Sequence, residues 1–290
     1  MNKGKKLTKK MIAINTYAEF GIECNGDHIL DPYGEWIPEL IPFASNGKVG
    51  NAGTWSIAHG NETHDISEFL EKFPKTAAVM KAAGVTSFCG SCPYHCKDCY
   101  CDSGRFRLDS MKQALVKKLL LATYHRDWLE RAIKACIKLH GIDQVRIHAA
   151  GDFFCDEYVD MWKRIIEYFP LVTFWTYTKQ DHAVHAFDGL QNITVTPSIT
   201  PHGVNFGTCA ELLETYTALV NAGFRVHVCA CGTPFEIHCS DCKHGCKAIG
   251  KECDYVLFIK HSAKDYKAGK KDPAEYAAVV EIIKNQKTSF

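Results

Sequence analysis

Apolar and polar residues along most of this chain follow two alternating rhythms. Between residues 109 and 139 the apolar positions recur at helical spacing. This predicts one helix from Asp109, as its N-cap, through Leu121, and a second from Arg126 to Leu139 that Gly141 stops. Gln144–His148 then reads as a strand, and the exchange repeats downstream. Helices are expected over Tyr158–Phe169, His182–Phe187, Cys209–Ala222 and Pro273–Lys284. Aromatic and β-branched runs predict strands over Leu171–Tyr177, Asn192–Thr196, Phe224–Val228 and Tyr255–Ile259. Upstream, Thr54–Ala58 reads as a short strand, and Asp65–Ala83 as a helix interrupted near Pro74. Residues 1–50 carry weak periodicity and turn signals such as Asp31-Pro32-Tyr33-Gly34, and read as an irregular cap.

Strands thus alternate with helices, which is the rhythm of βα units and a parallel sheet. Right-handed crossovers curl such a series into a wound sheet or a barrel, and five or six units favour a partial or complete (β/α) barrel. The expected division is a cap over 1–50, a barrel core over 51–228 and a Cys-rich C-terminal part over 229–290. In barrels the chemistry gathers at the C-terminal ends of the strands. The first Cys group, His148-Ala-Ala-Gly151-Asp152 and Tyr177-Thr178-Lys179 all fall at or just past such ends.

Composition narrows the class. In 290 residues, 23% charged and 46% hydrophobic side chains suit a globular protein with a sizeable core. A formal net charge of +1 gives no global field that favours nucleic acid. Lys3, Lys5, Lys6, Lys9 and Lys10 form a local basic tail, either solvated or in contact with an anionic partner. No apolar run resembles a signal peptide or a membrane span, so a cytoplasmic protein is expected.

The 15 cysteines change the picture most. A reducing compartment makes structural disulfides an improbable use for them, and their clustering reads as metal ligation. Cys92-Pro-Tyr-His-Cys96-Lys-Asp-Cys99-Tyr100 places three thiols at Cys-x3-Cys-x2-Cys spacing, with Cys89 just upstream and Cys101 just downstream. Such a loop can present three thiolates to an iron–sulfur cube and leave one iron open, or use Cys89 to close it. A zinc site is the third option, although zinc knuckles usually separate their Cys pairs by a longer loop. The second group is Cys239-x2-Cys242-x3-Cys246, with Cys229, Cys231 or Cys253 to complete it. Either a second cluster or structural zinc fits it, and Cys231 is taken as the added ligand. The scattered Cys24, Cys136, Cys155 and Cys209 read as small buried hydrophobes.

The first loop resembles the cluster loop of radical S-adenosylmethionine enzymes. That resemblance implies a [4Fe-4S] cluster on Cys92, Cys96 and Cys99 whose open iron chelates S-adenosylmethionine. It also implies radical chemistry on a small-molecule or other substrate, fed by an electron donor such as flavodoxin or ferredoxin. Asp98 stands where that family carries an aromatic residue, and Tyr100 follows the last Cys instead. Gly151 and Asp152 stand where the family's Gly-rich edge holds the cofactor's amino group, and Tyr100 and Tyr177 are candidates for the same pocket. Asp152, His148 and Lys179 are the candidate catalytic groups.

A narrower resemblance covers roughly residues 50–262. Arg146-Ile-His148-Ala-Ala-Gly151-Asp152-Phe-Phe154, Tyr158, Trp162, Phe174-Trp-Thr-Tyr177-Thr178-Lys179 and Cys239-x2-Cys242 before Phe258-Ile-Lys-His261 are similar to the phage and prophage gene product 88 family. That family brings an expectation of fold and cluster, not of a reaction. Two other classes stay open. One is a closed-cluster electron-transfer or redox-sensing protein. The other is a zinc-stabilised binding module, against which stands the lack of basic residues concentrated around either Cys group. No Gly-rich phosphate loop, Ser/His/Asp order or paired acid/base carboxylates point to a substrate.

Overall fold

In a computed structural model, Gly141 ends a helix in the left-handed conformation, as its place after a run of helical periodicity predicts. The structure describes residues 7–40, 52–60, 62–92, 101, 104–197, 205–206, 209–228, 255–259 and 273–288. The chain opens with α1 (Lys9–Glu19) and the antiparallel pair β1 (Ile29–Leu30) and β2 (Trp36–Ile37). β3 (Gly53–Thr54) follows. β4 (Thr63–Asp65) then pairs antiparallel with β5 (Ser87–Cys89) around α2 (Ile66–Phe69) and α3 (Pro74–Ala82). Then come α4 (Asp109–Tyr124), α5 (Arg126–His140), β6 (Gln144–Ile147), α6 (Asp156–Tyr168), β7 (Thr173–Thr178), α7 (Asp181–Ala186) and β8 (Ile193–Pro197). The last elements are β9 (Asn205–Phe206), α8 (Cys209–Asn221), β10 (Val226–Val228), β11 (Tyr255–Ile259) and α9 (Pro273–Thr288).

The centre is a four-stranded parallel sheet in the order β3-β6-β7-β8, with Val145 paired to Phe174 and Phe174 to Ile193. Alternate positions Val145, Ile147 and Phe174 join one core with Leu129 and Ile133 of α5 and Trp162, Ile165 and Ile166 of α6. The α5 and α6 residues recur at three- and four-residue spacing, so each helix buries a single stripe. A second parallel sheet, β10-β11-β9, has its own core of Leu212, Val228, Leu257, Val279 and Ile283 with α8 and α9. The fold class is therefore α/β with parallel strands. Among the described residues no closed barrel forms: the two sheets share no strand pairing, and residues 198–204 between β8 and β9 lie outside the description.

The N-terminal cap is more regular than its sequence suggests. Thr8 caps α1, and Ala13, Thr16 and Tyr17 bury one face. Ala and Thr are weak markers of a buried stripe, and the exposed Met11, Ile12 and Ile14 blur it further. The cap is held to α4 by Lys117, whose side chain is 2% exposed. Its Nζ lies 2.5 Å from Asp31 Oδ2 and 3.0 Å from Glu35 Oε2, bonds Thr76 Oγ1, and stacks 4.3 Å from the Tyr33 ring. The helical stretch over 65–83 is interrupted next to Pro74, as expected: α2 stops at Phe69, and Pro74 begins α3, where its missing N–H costs nothing. Among the described residues no helix is long and apolar enough to cross a membrane.

Candidate functional site

Beyond Thr54 the backbone leaves regular β3 yet stays beside the segment that follows β6. Trp55 N donates to Arg146 O at 2.9 Å, Ala149 N to Trp55 O at 2.9 Å and Ile57 N to Ala150 O at 3.0 Å. The start of the first Cys loop joins this seam: Ser91 N donates to Ala58 O at 3.0 Å and Cys92 N to Gly60 O at 3.2 Å. At the far end of the loop, buried Cys101 places its Sγ 4.0 Å from Ala149 O. Both described ends of the segment Cys92–Cys101 therefore border the C-terminal edge of the parallel sheet. Cys96, Cys99 and Tyr100 lie outside the described residues, as do Cys231, Cys239, Cys242 and Cys246 of the second group.

Gly151 makes the seam possible. Its φ is +87°, and a Cβ there would come within 2.5 Å of Ile57 Cγ1 and 2.7 Å of Ser91 Oγ. Ser91 Oγ accepts from Asp152 N at 3.0 Å and donates to Ala58 O at 2.6 Å, which ties three segments together. Gly90 is packed as closely, since a Cβ there would lie 2.2 Å from His59 O.

Asp152 is 4% exposed and gathers three donors. Its Oδ1 accepts from Phe153 N at 2.8 Å and Thr178 Oγ1 at 2.6 Å, and its Oδ2 accepts from Lys179 N at 2.9 Å. The carboxylate thereby clamps the end of β7 to the turn after β6. Burial pushes its pKa up, and the hydrogen bonds from Thr178, Lys179 and Phe153 and the Lys179 charge oppose that rise. Lys179 reaches Asp152 through its backbone N–H. Tyr177 takes the alternate face of β7, beside Trp175 and Ala52, with the Arg146 guanidinium 5.4 Å from its ring centre. Gly151, Asp152 and Lys179 are thus brought together, while Tyr177 faces a neighbouring surface of the same sheet.

His148 is 3% exposed and adopts φ 61°, a conformation that few side chains accept. Its Nε2 lies 2.9 Å from Tyr158 Oη, which in turn accepts from Trp55 Nε1 at 2.7 Å. Among the described residues its buried Nδ1 has no hydrogen-bond partner. Burial holds the imidazole down to about 3, so it is neutral. The unfolded chain takes up a proton below about pH 6.5 that the folded chain excludes. Stability from this group is therefore constant above that pH and falls by about 1.4 kcal/mol per unit toward pH 3. His148→Asn tolerates the positive φ and cannot titrate, so it should flatten that part of the curve whatever its cost at pH 7. Denaturant midpoints from pH 7 to 4 check this. An identical acid slope in the variant contradicts it.

Ser91 and Thr178 were not singled out as site residues by sequence reasoning. Ser91 sits between two cysteines that dominate the pattern, and Thr178 is one hydroxyl in an aromatic strand. Tyr158 and Trp55 give no local signal of their hydrogen-bonded chain, because the contact spans 103 residues.

The family model for Gene product 88 matches residues 54–259, from β3 through β11. The chain belongs to the gene product 88 family. That span takes in both Cys groups, the four-stranded sheet and the seam around Gly151, while α1 and α9 fall outside it. The Gene 88 protein of Mycobacterium phage D29 is 29% identical over 170 residues, which covers 51% of this chain and 69% of that protein. The Gene 88 protein of Mycobacterium phage L5 is 28% identical over 169 residues, with the same coverage. No solved structure matches the chain.

Proposed function

We propose that this family member is an iron–sulfur enzyme of the radical S-adenosylmethionine type. One observation carries the reading: the Cys92–Cys101 segment is pinned at both described ends over the C-terminal edge of a parallel sheet. That edge is where α/β folds gather their chemistry. Cys92, Cys96 and Cys99 would hold a [4Fe-4S] cluster, and Gly151, by letting Ile57 and Ser91 pack against its backbone, would hold the start of the Cys loop beside the cofactor-binding edge. The polar atoms fit a polar ligand: His148 Nδ1 and Thr196 Oγ1 are buried and have no hydrogen-bond partner among the described residues. The cluster and S-adenosylmethionine would together supply one-electron chemistry.

The chain's own residues position and exclude water. Asp152 holds the ends of β6 and β7 together, and its Oδ2, with a single donor, retains capacity for an ammonium group. Neutral His148 accepts or donates one hydrogen bond without carrying charge. Cys231, Cys239, Cys242 and Cys246 would hold a second cluster or zinc. The partners would be a small-molecule substrate and a reduced flavodoxin- or ferredoxin-type donor. A closed-cluster electron-transfer protein is the second reading, favoured by Cys89: it ends β5 exposed, three residues before Cys92.

Anaerobically purified wild type is expected to hold about four irons at the first loop, or about eight if the second site is also a cubane. Changing Cys92, Cys96 and Cys99 together to Ala should remove about four irons and leave the second site loaded. Iron content unchanged in the triple variant contradicts the ligand assignment.

A further inference from the structure

Far from the strand ends in function, helix α5 carries Cys136 and His140 four residues apart, hence on one face. That face meets the N-terminal segment. His140 Nε2 lies 2.5 Å from Glu39 Oε2, and the ligand atoms of Glu39, Cys136 and His140 all fall within 4.8 Å of one another. Cys136 is fully buried, whereas the side chains of His140 and Glu39 are 30% and 32% exposed, which leaves an entry path. A second observation points into the same spot. Tyr17 of α1 is fully buried, and its hydroxyl has no nitrogen or oxygen partner among the described residues. Its neighbour there is the Cys136 side chain.

We propose that Glu39, Cys136 and His140 bind one divalent transition-metal ion of the zinc class, tying the N-terminal segment to α5. Thiolate, imidazole and carboxylate are the three ligand types zinc takes, and together they suit a borderline-soft ion better than calcium or magnesium. With bonds of about 2.0–2.3 Å, tetrahedral ligand atoms stand roughly 3.3–3.8 Å apart, so side-chain adjustment from the present spacing suffices. Binding releases the Cys136 thiol proton to solvent and replaces the His140–Glu39 contact with two metal bonds. The Tyr17 hydroxyl then donates to the Cys136 thiolate, an outer hydrogen bond of the kind that steadies metal ligands. The fourth position falls to water.

The test uses the full chain, loaded with excess Zn(II), desalted and analysed for zinc beside Glu39→Gln and His140→Gln. Both side chains are partly exposed, so these variants should keep the fold, which circular dichroism verifies. Zinc held by the other Cys groups is common to all three proteins and cancels in the difference. Each variant is expected to hold about one zinc fewer per chain and to show a smaller zinc-induced rise in Tm than wild type. His140→Cys, which supplies another zinc ligand, should restore both. Equal zinc content and equal Tm response in wild type and both Gln variants overturn the proposal, leaving an ion pair above a buried thiol.

Discussion

Replacing Lys117 by Met should cost about 3–5 kcal/mol of stability, the usual penalty for removing one partner of a buried charge network. The ammonium stands between Asp31 and Glu35 with its side chain 2% exposed. Met keeps much of the volume but leaves two buried carboxylates facing each other without a cation. Burial alone would raise the Glu35 pKa, but the hydrogen bonds from Thr76 and Lys117 and the Lys117 charge outweigh it and hold the carboxyl below its ordinary range. A depressed acid contributes stability above its unfolded pKa and loses it as pH falls through the folded one. The variant should therefore also lose part of the wild-type sensitivity to acid below about pH 4.5. Equilibrium unfolding in denaturant checks both effects. A loss under about 1 kcal/mol would place the cluster with ordinary surface pairs and contradict the network.

Gly151→Ala should be the most damaging single methyl in the candidate site. The backbone at φ +87° disfavours any Cβ, and the added atom would sit 2.5 Å from Ile57 Cγ1 and 2.9 Å from Ile57 O. Left-handed strain and overpacking together suggest about 2–5 kcal/mol. The chemical consequence is more specific. The same Cβ pushes on Ser91 Oγ, whose hydrogen bonds hold the start of the Cys loop to the seam. Iron content should therefore fall along with Tm, whereas a comparably destabilising change in the separate α8–α9 core, such as Leu212→Ala, should lower Tm and leave iron content at the first loop unchanged. Full iron loading in Gly151→Ala would mean that the seam does not position the loop.

Much of the sheet was legible. Gln144–Ile147, Thr173–Thr178 and Tyr255–Ile259 follow β-branched and aromatic runs, and α5 and α6 follow clean helical stripes. Parallel pairing followed from the alternation, because parallel strands need helical crossovers. The barrel did not follow, because the number of βα units does not say which strands pair across a break. β4 and β5 were missed because Thr63-His-Asp65 and Ser87-Phe-Cys89 are too short to show a period of two.

At the site, Gly151 and Asp152 could be placed at a strand end from the sequence, but the job of Asp152 could not. A carboxylate at that position looks like a ligand for a cation. Its three internal donors come from residues one, 26 and 27 positions away and emerge only when β7 lies beside β6. Cys136 carried the opposite lesson. It reads as one small buried residue on a helix stripe, and its neighbours Tyr17 and Glu39 come from a segment that shows no regular pattern.

The central claim is an open cluster that binds S-adenosylmethionine at the edge of the parallel sheet. The most direct measurement is the paramagnetic resonance spectrum of the reduced, anaerobic full chain with and without S-adenosylmethionine. An open cluster predicts a reduced [4Fe-4S] signal whose line shape shifts on cofactor addition, in wild type and in Cys89→Ala alike. A signal that the cofactor leaves unchanged, together with loss of the cluster in Cys89→Ala, would contradict it and establish a closed electron-transfer centre.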